Sequence, residues 1–277
     1  MADLIFDGTF HGDEHRETDN TFHDPSGHYS NAPFLCFSDS FTIVNSFGGR
    51  TGKIAKMVNH YGIAGRCKPT DSDNHNNIQS VLVFSPNTLP NRTLWVGYSQ
   101  YMQSPSYPQG DPANPDPYVG LIYSMGARAI SSVWTVNRTV PQISQLRTGE
   151  WLLLYGNNTV VSDSKIPNPG ENKWLDILFH YKYSADTNDG ISEYFLKKDD
   201  DDYVLIGGKY KVNNWFIQPG QTKASTRNLI RVGTYMDHTT TKNVTIYLSN
   251  IKVGTTRADV EPIPECPTPQ CSITITQ

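Results

Sequence analysis

Arg231, Gly233 and Tyr235 occupy alternate positions of Leu229-Ile-Arg-Val-Gly-Thr-Tyr235. On a strand, residues two apart share a face, so a guanidinium and a phenol look the same way. The glycine between them leaves room for a bound molecule. A phenol can take or give a proton, and a guanidinium can lower a phenol's pKa or hold a carboxylate. The alternative is a half-buried strand aromatic beside a surface cation. Asn77-Ile-Gln79 offers two amides on one strand face, with Arg66, His75 and Asn76 near in sequence, or else polar positions on a solvated face. His180-Tyr-Lys-Tyr183 sets Tyr181 and Tyr183 on one face and His180 and Lys182 on the other, a paired phenol or an ordinary scaffold strand.

Other chemistries have weaker bases in the sequence. His11, His15, His23 and His28 are irregularly spaced without metal-ligand geometry, and read as a solvated loop that could also fold over a groove and supply a base. Asp186-Thr-Asn-Asp-Gly190 and Asp199–Asp202 are rich enough in oxygen for a structural calcium, with a hairpin turn and a charged loop as the alternatives. No other metal or cofactor is expected. A nucleotide-binding glycine loop, a nucleophile elbow and a zinc-protease helix are all missing. Cys266 and Cys271 could close a small loop by a disulfide, or remain thiols.

The elements that must position these residues read as strands. Segments 39–44, 52–58, 78–84, 94–101, 118–124, 129–136, 150–155, 174–183, 190–197, 203–210, 228–235 and 243–253 are rich in Val, Ile, Thr, Tyr and Trp and are punctuated by Gly, Pro, Asn and Asp. Amphipathic helix windows are nearly absent. Many short strands predict an all-β fold, a sandwich or jelly roll. One domain over residues 1–256 is expected, with long loops at 7–33 and 103–117 and an appended tail at 257–277. Five prolines between Ser104 and Tyr118 bar a central strand there.

Composition narrows the class. The 277 residues carry a net charge of −4, which argues against a general nucleic-acid binder, although a local basic cleft can sit on an acidic protein. No apolar stretch is long enough for a membrane helix, so membrane insertion is not expected. Met1–Asp7 has no basic run leading into an apolar one. Either a signal peptide has been removed or that route is not used, and the second suits a phage product.

Several segments, in order, resemble one family. Gly48-Gly-Arg-Thr-Gly-Lys-Ile-Ala-Lys-Met57 resembles its early glycine–arginine–glycine strand, and Leu94-Trp-Val-Gly-Tyr-Ser-Gln-Tyr101 its tryptophan–glycine–serine strand. Trp174 opening one strand and Asp189-Gly190 opening the next resemble a third pattern. Leu229–Tyr235 and Thr245–Gly254 resemble the late and closing strands. The set, over about residues 40–255, is similar to jelly-roll polysaccharide lyases of the heparin lyase I and glucuronan lyase type, which have a concanavalin-like sandwich of two antiparallel sheets.

The resemblance implies an acidic, uronic-acid polysaccharide as partner, cleaved by β-elimination. Tyr235 and Arg231 are then the expected catalytic pair, Arg231 standing where the family pattern has Lys. Asn77, Gln79, Arg66, His75, Tyr181 and Tyr183 are the expected substrate contacts, the two amides replacing an Arg-x-Glu pattern. The segment 118–129 lacks the Gln or His that the pattern places on a central strand, where Tyr123 or Ser124 could substitute. That departure keeps open a non-catalytic reading, a glycan-binding or structural module of virion or adhesin type. An extracellular or virion-associated setting and a homo-oligomer or virion assembly are the matching expectations.

Overall fold

The computed structural model describes residues 4–7, 15–16, 21–23, 29–31, 41–59, 77–84, 93–103, 118–129, 142–146, 150–155, 163–182, 184, 189–198, 201–212, 226–237 and 244–261. Two antiparallel sheets account for nearly all of them. The back sheet runs β15 (Val204–Val212), β14 (Gly190–Lys198), β13 (Trp174–Lys182), β8 (Thr93–Met102), β17 (Val244–Gly254), β6 (Arg50–Asn59) and β5 (Phe41–Phe47). Its eighth strand, β1 (Leu4–Asp7), pairs with the second half of β17. The front sheet has nine strands: β12 (Asp163–Ile166), β11 (Trp151–Leu154), β10 (Gln142–Leu146), β9 (Tyr118–Ala129), β16 (Thr226–Asp237), β7 (Asn77–Phe84), β4 (Tyr29–Asn31), β3 (Thr21–His23) and β2 (His15–Arg16). This is an all-β jelly-roll sandwich of two antiparallel sheets.

Alternation fixes which way each strand looks. In β13, Leu175, Ile177, Phe179 and Tyr181 enter the core, while Trp174, Asp176, His180 and Lys182 take the opposite face. In β8, Leu94, Val96, Tyr98 and Met102 do the same. The front sheet meets them with Ile143, Trp151, Leu153 and Tyr155, all in the same buried cluster. Those four residues define the core face of the front sheet, so every register position of opposite parity lies on its outer face.

Two local features shape the sheets. The β5–β6 hairpin turns on Gly48 and Gly49, at φ 57° and 82°, the left-handed pair that a two-residue turn between twisted strands requires. In β9, Leu121 pairs with Ser144 and Tyr235, while Tyr123 pairs with Ile143 and Val232. Both registers break between these two residues: against β10 the extra residue of the β-bulge is Ile122, and against β16 it lies on β16 between Val232 and Tyr235. Leu121 and Ser124, three apart, therefore share the outer face. Bulges bend a strand and increase its twist.

Three expectations about the chain's organisation change. The stretch 7–33, expected as a loop, contains β2, β3 and β4, which extend the front sheet beyond β7. The expected tail does not begin at 257. A one-turn helix, α1 (Arg257–Val260), packs on the back sheet and buries Val260 completely. Thr256 and Asp259 form its capping box. Third, β10 and β12 were not expected. They are short, and their alternation is carried by a single apolar residue or two. The loop 104–117, the segment 130–136, Cys266 and Cys271, and both proposed calcium-loop cores at 185–188 and 199–200 lie outside the described residues.

Gly97 is what lets α1 dock, because a Cβ there would stand 2.0 Å from the Val260 carbonyl oxygen. Gly97→Ala is expected to lift the helix off the sheet and cost on the order of 2 kcal/mol, the usual scale of overpacking, read as a lower urea midpoint. No helix among the described residues is long and apolar enough to cross a membrane.

Candidate functional site

Strand register gathers four of the sequence candidates on the outer face of the front sheet. Tyr235 of β16 lies directly opposite Gln79 of β7, and Asp237 lies opposite Asn77. Facing positions of this kind set Cβ atoms about 5 Å apart. Arg231 lies opposite Val83 on one side and Ser124 on the other. Asn77, Gln79, Arg231, Gly233 and Tyr235 thus share one face across two neighbouring strands, the face turned away from Ile143 and the core.

The same geometry narrows what Arg231 can do. Four residues along a strand are about 13 Å, beyond the roughly 8 Å over which exposed charges act on one another at physiological salt. At that backbone spacing Arg231 is placed to hold an anionic group one or two ligand units from Tyr235. Gln79, not Arg231, is the residue placed beside Tyr235.

Register also adds a residue that sequence reasoning missed. Gln142 of β10 faces Ser124, which faces Arg231, so the outer face carries the row Gln142–Ser124–Arg231 over three adjacent strands. The amide expected on β9 and missing there stands instead one strand over. The signal was faint, because Gln142-Ile-Ser-Gln-Leu146 is short and has just two apolar residues, Ile143 and Leu146, three apart rather than in alternation.

Tyr181 is corrected. It has no exposure and belongs to the core cluster, and burial pushes its phenol well above the ordinary tyrosine range. It can neither touch a bound polymer nor ionise to act as a base. Replacing it with Phe keeps the buried ring and is expected to leave any function of the outer front face unchanged, read as parent-like ligand titration. Tyr183, Arg66 and His75 lie outside the described residues.

The remaining polar clusters are on the back sheet, across the core from this face. His180 Nδ1 lies 2.5 Å from Glu193 Oε2, its ring stacks on Trp95 with centroids 4.4 Å apart, and the Tyr210 hydroxyl donates to the other Glu193 oxygen. Arg50 makes a two-pronged ion pair with Asp176 at 2.9 and 3.0 Å, and Ser99 Oγ donates to Asp176 at 2.6 Å. The Arg50 guanidinium also lies over the Trp174 ring, 4.6 Å from its centroid. The Trp174 indole N–H points at the Phe47 and Gly48 carbonyls. These contacts tie strands together. No group of three or more His, Cys, Asp or Glu arranged to hold a metal occurs among the described residues.

Carboxylates are sparse on the front sheet. Among its described residues only Asp163 of β12 and Asp237 of β16 carry one. They are four strands apart in the sheet order, about 19 Å at ordinary strand spacing.

No family model and no curated protein matches the chain. Solved structures do match in fold. The catalytic domain of a glycoside hydrolase family 131 protein from Coprinopsis cinerea aligns with TM-score 0.58 and 10% identity, covering 95% of this chain and 98% of that one. A family 131 β-glucanase catalytic domain from Podospora anserina aligns with TM-score 0.53 and 9% identity, over 94% and 98% of the two chains. A PL-14 alginate lyase from the marine Aplysia kurodai aligns with TM-score 0.50 and 9% identity, over 81% and 97%. At such identities the likeness is one of fold.

Proposed function

We propose that this protein binds an acidic, uronate-containing polysaccharide across the outer face of the front sheet and cleaves it by β-elimination, working outside cells or on a virion. The observation that carries the reading is the facing pair Tyr235–Gln79 on a sheet face that offers Arg231 and Gln142 nearby and, among the described residues, holds no close pair of carboxylates. A sugar hydrolase of the ordinary kind needs two carboxylates about 5–10 Å apart. The two found among the described front-sheet residues are about twice that distance apart. Elimination needs none, and one of the matched folds is an alginate lyase.

The chemistry assigns tasks to residues by position. The Gln79 amide donates hydrogen bonds to the uronate carboxylate, favouring the charge that spreads onto it as the C5 proton leaves. Tyr235, acting as its phenolate, takes that proton and becomes the neutral phenol. The C5–H electron pair becomes the C4=C5 double bond as the C4–O4 bond breaks, and O4 leaves with a proton, delivered by Tyr235 or by water. Arg231 and Gln142 hold carboxylates of neighbouring units. No water is consumed, and one product end is an unsaturated uronate that absorbs in the ultraviolet.

The test is absorbance in that band during incubation with alginate, glucuronan and heparin-like polymers. A rise with one of them supports the reading, and silence with all of them defeats cleavage. A binding module without catalysis remains the second reading, favoured by the lack of a Gln or His in β9. It predicts polymer binding with no absorbance change. Gln79→Glu, which sets a like charge against the polymer, is expected to weaken binding about tenfold or more under either reading, measured by titration at low salt.

A further inference from the structure

β15 ends the back sheet, and among the described residues no strand pairs with its outer edge. An edge strand presents unpaired N–H and C=O groups, and proteins usually keep such edges short or guard them with charge. β15 is nine residues long. It carries all three of the exposed large hydrophobic side chains among the described residues, with Val204 61%, Leu205 52% and Tyr210 62% exposed. Gly207 and Gly208 leave its middle without side chains.

We infer that a second copy of this chain adds to that edge antiparallel, joining the two back sheets into one continuous sheet across a two-fold axis. The argument for self-association is the charge along the strand. Asp201 and Asp202 precede it and Lys209 and Lys211 lie near its end, all four exposed. Antiparallel addition of an identical strand sets head against tail, so with the axis at Leu205 the Asp201–Asp202 end of one copy comes beside the Lys209–Lys211 end of the other, across the register shifts that β15 carries at Ile206 and Lys211. Parallel addition would oppose like charges. The edge is thus complementary to itself in one direction only, the requirement of a two-fold interface. Around an axis at Leu205 that residue meets its own counterpart and Val204 lies against Ile206, and both lose their exposure while backbone hydrogen bonds continue the ladder.

An axis perpendicular to the sheet keeps both front sheets on the same side, so the dimer would present two candidate sites together. Two sites engaging one polymer bind more tightly than either alone. The dimer stands independently of the proposed chemistry, because β15 belongs to the other sheet.

The experiment is sedimentation velocity with light scattering on the full chain at micromolar concentrations. The expected mass is twice 31.0 kDa. Val204→Lys with Leu205→Lys places like charges at the axis and is expected to weaken association at least about tenfold. Asp201→Lys alone and Lys209→Asp alone are each expected to weaken it, and the two combined to restore it. The positions are exposed, so thermal unfolding of the variants should match the parent. A monomer at every concentration overturns the proposal, including one whose β15 amides are protected from exchange by another part of its own chain. So does a dimer indifferent to all of these substitutions.

Discussion

Tyr235→Phe is expected to reduce β-elimination about a thousandfold, the usual scale for removing a positioned proton-transfer group, with polymer affinity and thermal stability little changed. Phe keeps the ring and removes only the hydroxyl, and position 235 lies on the outer face of the front sheet, opposite Gln79. The unsaturated-uronate absorbance gives the rate, and titration of the polymer into the inactive variant gives the affinity. A loss confined to the rate identifies a group that acts on the reacting bond. Equal losses in affinity and stability would mean that Tyr235 is a packing residue. Parent-like cleavage would remove it from the mechanism.

The largest expected effect on stability lies on the other sheet. Asp176 is 2% exposed and receives two hydrogen bonds from Arg50 and one from Ser99. Asp176→Ala leaves the half-buried guanidinium without its counter-charge. Breaking such a pair costs about 3–5 kcal/mol, which for a domain of this size lowers Tm by about 10 °C. The paired replacement Arg50→Met with Asp176→Leu should recover most of the loss, because it removes both charges together. Calorimetry on the three variants reads the difference. If Asp176→Ala melts with the parent, the ion pair is a surface contact of no consequence.

Most of the β-architecture was legible because alternation and composition agreed over long strands. Trp174–Lys182 and Thr93–Met102 are long and rich in apolar, β-branched and aromatic residues, and β13 and β8 follow them closely. The short strands β10 and β12 were not legible, since four or five residues with few apolar positions look like loop. The strands within 7–33 were hidden by a polar composition. They are held by pairing onto β7 and each other rather than by any local preference.

The candidate site divided along a similar line. That Arg231 and Tyr235 share a face follows from the period of a strand. That Gln79 faces Tyr235 follows only from which strands become neighbours, and no local pattern carries that information. Tyr181 shows the converse limit. Alternation told that it sits with its i+2 neighbours, but not that their face is the interior. Gln142 entered through pairing alone.

The extra residue in β9 has a consequence for how this protein can change. Leu121 and Ser124 hold the outer register while Tyr123 between them holds the inner one. Losing Ile122 would leave Leu121 and Tyr123 as ordinary alternating neighbours, so both halves of the strand would keep their faces and only the kink would go. Losing a residue within either regular half would instead exchange inside for outside on one side of the gap. The bulge is thus a joint at which this strand can change length without exchanging its two faces.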